Sequence, residues 1–226
     1  MSLKKIIKNR EKNKRHFIWR NIQVMIKDPI QDPEVSIGDA LKEIEKKIPS
    51  HLFKNIDIIY VGNFDFLNQR NVQAVYENSC IFLTNDQKDS SDIADDIVHE
   101  VAHSLEEIYA MALYEDQKLE REFIEKRKRL FSTLKGEKYP VDLQNFLNPS
   151  YDRGFDEYLY QEVGYSALNM LSANIFYSPY AATSLREYFA NGFEAYFYYD
   201  SYNFIKNNCP VLYEKLKFLE ELGYDI

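Results

Sequence analysis

Apolar residues recur at Ile93, Ile97, Val101, Leu105, Ile108 and Ala112, a helical spacing that drifts slowly round one face and predicts a helix over this stretch. Asp89, Ser90, Ser91 and Asp92 precede it, a cluster of side chains able to cap the first turn and, where acidic, suited to the positive end of the dipole. Upstream, Ile37, Leu41, Ile44 and Ile48 repeat in the same way, with Lys and Glu between them and Pro49 as the stop. Ile56–Val61 is a β-branched run closed by Gly62 and Asn63, and Ser79–Thr84 is a second; both read as strands. Ile22, Val24 and Ile26 alternate and predict another. Ala74 to Thr84 is expected to form an edge strand beside the 93–112 helix.

Beyond Tyr109 the chain becomes highly charged, with Leu119, Phe123, Leu130 and Phe131 on one side and Gly136 as the stop. Opposite charges four apart, Glu122 with Lys126 and Glu125 with Arg129, suit an exposed helix. A further helix is expected from Phe155 to Asn174, and another from Ser184, which has Glu187 at capping-box spacing. The pattern as a whole predicts an α+β fold. A small N-terminal sheet packs on the 93–112 helix, and a mostly helical C-terminal half follows, with a helical insertion at about 112–175. That insertion would wall a cleft, dock a partner or serve as plain scaffold. Residues 1–20 read as a basic arm and residues 21–226 as one domain.

Composition narrows the function classes. A hydrophobic content of 45% over 226 residues suffices for a sizeable core. No apolar run approaches the length of a membrane span. The net charge of −8 argues against a nucleic-acid-binding core and favours basic partners or substrates. Nucleic-acid contact is left to the arm, where Lys4, Lys5, Lys8, Arg10, Lys12, Lys14 and Arg15 cluster. The arm has no apolar core of a signal peptide, and Cys80 and Cys209 form no disulfide framework, so a cytoplasmic, reducing setting is the expectation, with a secreted form whose signal has been removed as the alternative.

The chemistry is concentrated in His99-Glu100-Val101-Ala102-His103. Histidines four apart on a helix face the same way and can converge on one Zn²⁺. A glutamate one step after the first can reach the position of a metal-activated water and serve as general base, the H-E-x-x-H arrangement of zinc peptidases. Asp96, Glu106 and Glu107 share the histidine face and could orient an imidazole from behind. His16 and His51 lack ligand spacing and the two cysteines are isolated, so a third ligand is sought among downstream carboxylates. Glu187 is favoured, with Asn191 one turn on, and Glu194 is the alternative.

Tyr180-Ala-Ala-Thr-Ser-Leu-Arg-Glu187-Tyr-Phe-Ala-Asn191-Gly-Phe193 resembles the Tyr-x6-Glu-Phe-Phe-Ala-Glu-x-Phe segment of the anthrax lethal factor catalytic domain and the related Pro-Pro endopeptidases. These belong to the gluzincin peptidases, whose third ligand is a glutamate on a later helix. The resemblance covers roughly residues 75–200. Asn191 replaces the group's second glutamate, and the interval after His103 is several tens of residues longer than in lethal factor. It implies one zinc held by His99, His103 and Glu187, Glu100 as base, and Tyr180 as the donor that stabilises the oxyanion or protonates the leaving amine. A zinc-dependent endopeptidase acting on a peptide or protein is therefore expected. The alternative is an inactive zinc-binding or protein-interaction module on the same fold, against which the intact Glu100 speaks.

Overall fold

The computed structural model describes residues 15–223. Residues 1–14 of the expected basic arm lie outside the described residues. The chain is α+β and divides into two compact units, residues 1–108 and 109–226.

In the first unit β1 (His16–Trp19), β2 (Ile22–Ile26), β3 (Ile58–Gly62), β4 (Ala74–Glu77) and β5 (Cys80–Thr84) form one sheet in the order β1-β2-β3-β5-β4. β2, β3 and β5 run parallel, while β1 and β4 close the two edges as antiparallel hairpin partners. Both hairpin turns place two residues at positive φ: Arg20 and Asn21 at 48° and 70°, Asn78 and Ser79 at 52° and 61°. That backbone matches the twist of the strands it joins. The structure therefore corrects two boundaries. His16–Trp19 is a strand within the stretch expected as an arm, and Ala74–Thr84 is a hairpin of which only β4 is the edge. Neither turn contains glycine, so the usual sequence marker was missing.

Period-two alternation sorts the sheet's side chains. Ile22, Val24, Ile59, Val61, Ile81 and Leu83 are all at 2% exposure or less. The other face is half-buried and aromatic, with Tyr60 stacked on Phe82 at 5.3 Å. Helix α1 (Ile37–Lys47) starts where Ser36 accepts from the Asp39 amide and buries Ile37, Ala40, Leu41 and Ile44; the short α2 (Asp65–Arg70) precedes β4. Helix α3 (Ser90–Tyr114) is capped by Asp89, whose Oδ1 accepts from the amides of Ser91 and Asp92 at 2.7 and 2.9 Å. Ile93, Ile97, Val101 and Leu105 are fully buried, each worth about 1.5–3 kcal/mol. The stripe does not continue as predicted. Tyr109 leaves helical dihedrals (φ −111°, ψ 17°), so that Ile108 is exposed and Leu113, not Ala112, is buried.

In the second unit come α4 (Lys118–Gly136), α5 (Leu143–Leu147), α6 (Arg153–Glu157), a π-helical turn at Tyr158–Val163 and α7 (Tyr165–Leu171). A 3-10 turn at Tyr180–Ala182 leads into α8 (Leu185–Phe193), which continues as a π-helical turn at Glu194–Tyr198, and α9 (Tyr202–Asn208) and α10 (Pro210–Glu221) complete it. The helix expected over Phe155–Asn174 is broken at Gly164, whose φ of 78° no regular helix accommodates.

Helix α4 differs most from the expectation of a solvated helix. Leu119, Phe123, Leu130 and Leu134 are fully buried, and Lys126 and Arg127 are buried with them. Lys126 Nζ donates to the carbonyls of Ile175 and Asn208 at 2.5 and 2.7 Å. Glu122 accepts from the amides of Val211 and Leu212 at 2.7 and 3.1 Å, completing the first turn of α10. The expected Glu122–Lys126 pair therefore does not form, and Glu125 pairs with Lys128 at 2.6 Å instead of Arg129. Arg127 lies 4.1 Å from the Phe155 ring, and burial draws its pKa down to about 10. Gly192 lets α8 approach α10, since a Cβ there would stand 2.3 Å from Leu212 Cδ2. No helix among the described residues is long and apolar enough to cross a membrane.

Candidate metal centre

Four residues apart on α3, His99 and His103 place their Nε2 atoms 3.2 Å from each other, with the rings inclined at 77°. Glu106 Oε2 lies 2.7 Å from Nδ1 of His103, so that nitrogen carries the proton and Nε2 presents its lone pair. A tetrahedral ion at the usual zinc–nitrogen distance of about 2.0–2.1 Å sets its ligand atoms roughly 3.3 Å apart. The histidine pair fits that spacing as it stands.

Glu187 sits in the first turn of α8, where Ser184 caps the helix by accepting from the Glu187 amide at 3.2 Å. His99, His103 and Glu187 each offer one ligand atom, all within 4.8 Å of one another, a group that could hold a metal ion. Glu194, the alternative third ligand, is outside this group and buried in the π-helical turn. Asn191 is buried and accepts from the Ser178 hydroxyl, so it braces the segment before Tyr180. His16, His51, Cys80 and Cys209 take no part in the group.

Glu100 is 7% exposed, and its Oε2 accepts from the Tyr76 backbone amide at 2.6 Å. Thr84 N bonds to Gln73 O at 2.8 Å, so residues 73, 75 and 77 face β5, while Ala74 and Tyr76 direct their amides to the open edge. The Tyr76 hydroxyl donates to Glu107 Oε2. Asn55 Nδ2 donates to that hydroxyl at 2.6 Å, to Glu107 Oε2 at 3.1 Å and to the Ser104 carbonyl at 3.2 Å. Burial, then Glu107, raises the phenol's pKa. Of the three carboxylates expected behind the imidazoles, Glu106 bonds to a histidine ring. Asp96 instead accepts from Gln87 Nε2 at 3.0 Å, and burial pushes its carboxyl up to about 7.

Tyr180 opens the 3-10 turn before α8. Burial first, then the nearby Glu187 carboxylate, holds its phenol pKa far above the ordinary value, so it keeps its proton and can donate. Asp156, Tyr165 and Tyr151 contribute to the same environment, with Tyr151 donating to Asp156 Oδ2 at 3.0 Å. Sequence reasoning missed this cluster, and it missed Tyr76 and Asn55. No local spacing links either of the latter to α3. The one available signal for Tyr76 was its place within Ala74–Thr84, the stretch expected as an edge beside the 93–112 helix.

No protein-family model, curated protein or solved structure matches the chain.

Proposed function

We propose that the chain is a zinc-dependent endopeptidase in which His99, His103 and Glu187 hold one Zn²⁺. The observation that carries this reading is the three-ligand group with a buried glutamate, Glu100, adjacent in sequence to its first histidine. Two neutral nitrogens and one carboxylate are the donor set of a catalytic zinc site, which keeps a position open. A bound Zn²⁺ would supply Lewis acidity, lowering the pKa of a water towards neutrality and polarising the scissile carbonyl.

The chain's own groups divide the remaining tasks. Glu100 has one oxygen engaged by the Tyr76 amide, which leaves Oε1 to take a proton from the nucleophilic water and deliver it to the leaving nitrogen. Glu106 holds the His103 ring in one tautomer. Tyr180, protonated at neutral pH, donates a hydrogen bond to the oxygen on which negative charge develops. The substrate is a peptide or protein, and the net charge of −8 favours basic sequences.

The test has two arms. Elemental analysis after dialysis should find close to one zinc per chain, lost in Glu187→Ala and retained in Glu194→Ala. Cleavage of casein or a degenerate peptide library should fall by several orders of magnitude in Glu100→Gln with zinc content unchanged. Zinc without cleavage under all conditions would leave a metal-binding interaction module, and a wild type that takes up no zinc would refute the site.

A further inference from the structure

Tyr76 touches α3 at two levels. Its amide meets Glu100 Oε2 at 2.6 Å, and its hydroxyl donates to Glu107 Oε2. Seven residues separate these carboxylates, two helical turns and about 10.5 Å of rise, which returns them to nearly the same face. A tyrosine laid along the helix reaches from one towards the other, and phenylalanine in the same place would keep the ring but lose the far contact. Asn55 fixes that far end by donating to the Tyr76 hydroxyl, to Glu107 and to the Ser104 carbonyl.

The near end is unusual for a strand edge. Among the described residues β4, four residues long, pairs with β5 alone, so its outward amides would ordinarily bond to water. At Tyr76 the outward amide bonds instead to the side chain read above as the general base. An anionic oxygen bonded to a fixed N–H is held more firmly than one bonded to water, and such charge-assisted bonds are the strong ones. Where that N–H sits depends on where β4 sits, and β4 is tied to α3 at the level of Glu107.

We propose that Tyr76, Glu107 and Asn55 are positioning residues for Glu100. The contact between the Tyr76 hydroxyl and Glu107 fixes β4 along α3 at the level where the Tyr76 amide binds Oε2, so that Oε1 is the oxygen presented for proton transfer. This rests on the peptidase reading of Glu100.

The test uses the full chain loaded with zinc. In Tyr76→Phe and in Glu107→Ala, kcat for a library-derived peptide falls at least tenfold. KM stays within twofold and zinc content is unchanged. The double variant is no slower than the worse single one, because both break one contact. An unchanged kcat, or a rise in KM alone, overturns the proposal. Independently of activity, hydrogen exchange of the Tyr76 amide is slow in the wild type and speeds up at least tenfold in Glu100→Ala. Fast exchange in the wild type, or no change in the variant, also overturns it. If the exchange result holds but the wild type cleaves no peptide, the contact stands, and it is the peptidase reading and the catalytic purpose built on it that fall.

Discussion

Glu106 Oε2 stands 2.7 Å from Nδ1 of His103, three residues back along the same helix, and so decides which nitrogen of that ring is turned to His99. Removing such a partner typically weakens a metal site by about 10–100-fold. Glu106→Ala should therefore lose zinc affinity in that range in competition with a chromogenic chelator, with helical circular dichroism retained. Glu107→Ala should stay within about threefold, since its carboxylate serves Tyr76.

Zinc should also stabilise the fold, because an assembled ligand set exists only in the native state. At a free concentration about one hundred times its Kd the expected gain is about 2.7 kcal/mol. Thermal melts with and without the metal should show the gain in the wild type and in Glu194→Ala, and most of it should vanish in Glu187→Ala. A gain of equal size in Glu187→Ala would place the metal elsewhere.

Asp96 gives the metal-free protein a pH signature. Its carboxyl ordinarily titrates near 3.8 and is pushed up to about 7 by burial, so the folded chain holds this proton more tightly than the unfolded one. Its contribution to stability is thus complete below the ordinary value and is lost as pH rises through 7. The full difference corresponds to roughly 4 kcal/mol. Urea midpoints between pH 5 and pH 8 should fall more steeply in the wild type than in Asp96→Asn, which should be the more stable of the two at pH 8.

Lys126 is a structural cation. Shortening it to alanine strands the carbonyls of Ile175 and Asn208, at about 1–3 kcal/mol for each one left unmet. Lys126→Ala should lower unfolding stability accordingly, while Glu125→Ala, on the solvent side of the same helix, should stay within about 0.5 kcal/mol.

What the sequence made legible was local. The spacing of His99 and His103, the cap before Ser90 and the Ser184–Glu187 cap are each settled within one or two turns, and the structure shows all three. Glu106 was legible for the same reason. Lys126 and Glu122 were misread because a charged residue on an amphipathic pattern is indistinguishable from a solvated one until the carbonyls and amides it meets, some fifty to ninety residues away, are known. Asn55 and Tyr76 lie twenty-one residues apart and meet through a hairpin whose turn, Asn78-Ser79, has none of the usual glycine. The kink at Tyr109 likewise follows no proline or glycine, and the periodicity ran straight across it.

The contact between Glu100 and the Tyr76 amide also bears on how the molecule behaves in a crowd. A bare strand edge is a template on which a second copy can build, and proteins that fail to blunt their edges aggregate. Here the middle of β4 has its outward amide engaged by a carboxylate, and a neighbouring chain would have to displace an anion to pair there. Loss of Glu100 would therefore unmask an adhesive edge, so that an apparently inert Glu100→Ala protein should also be the one that clumps on concentration.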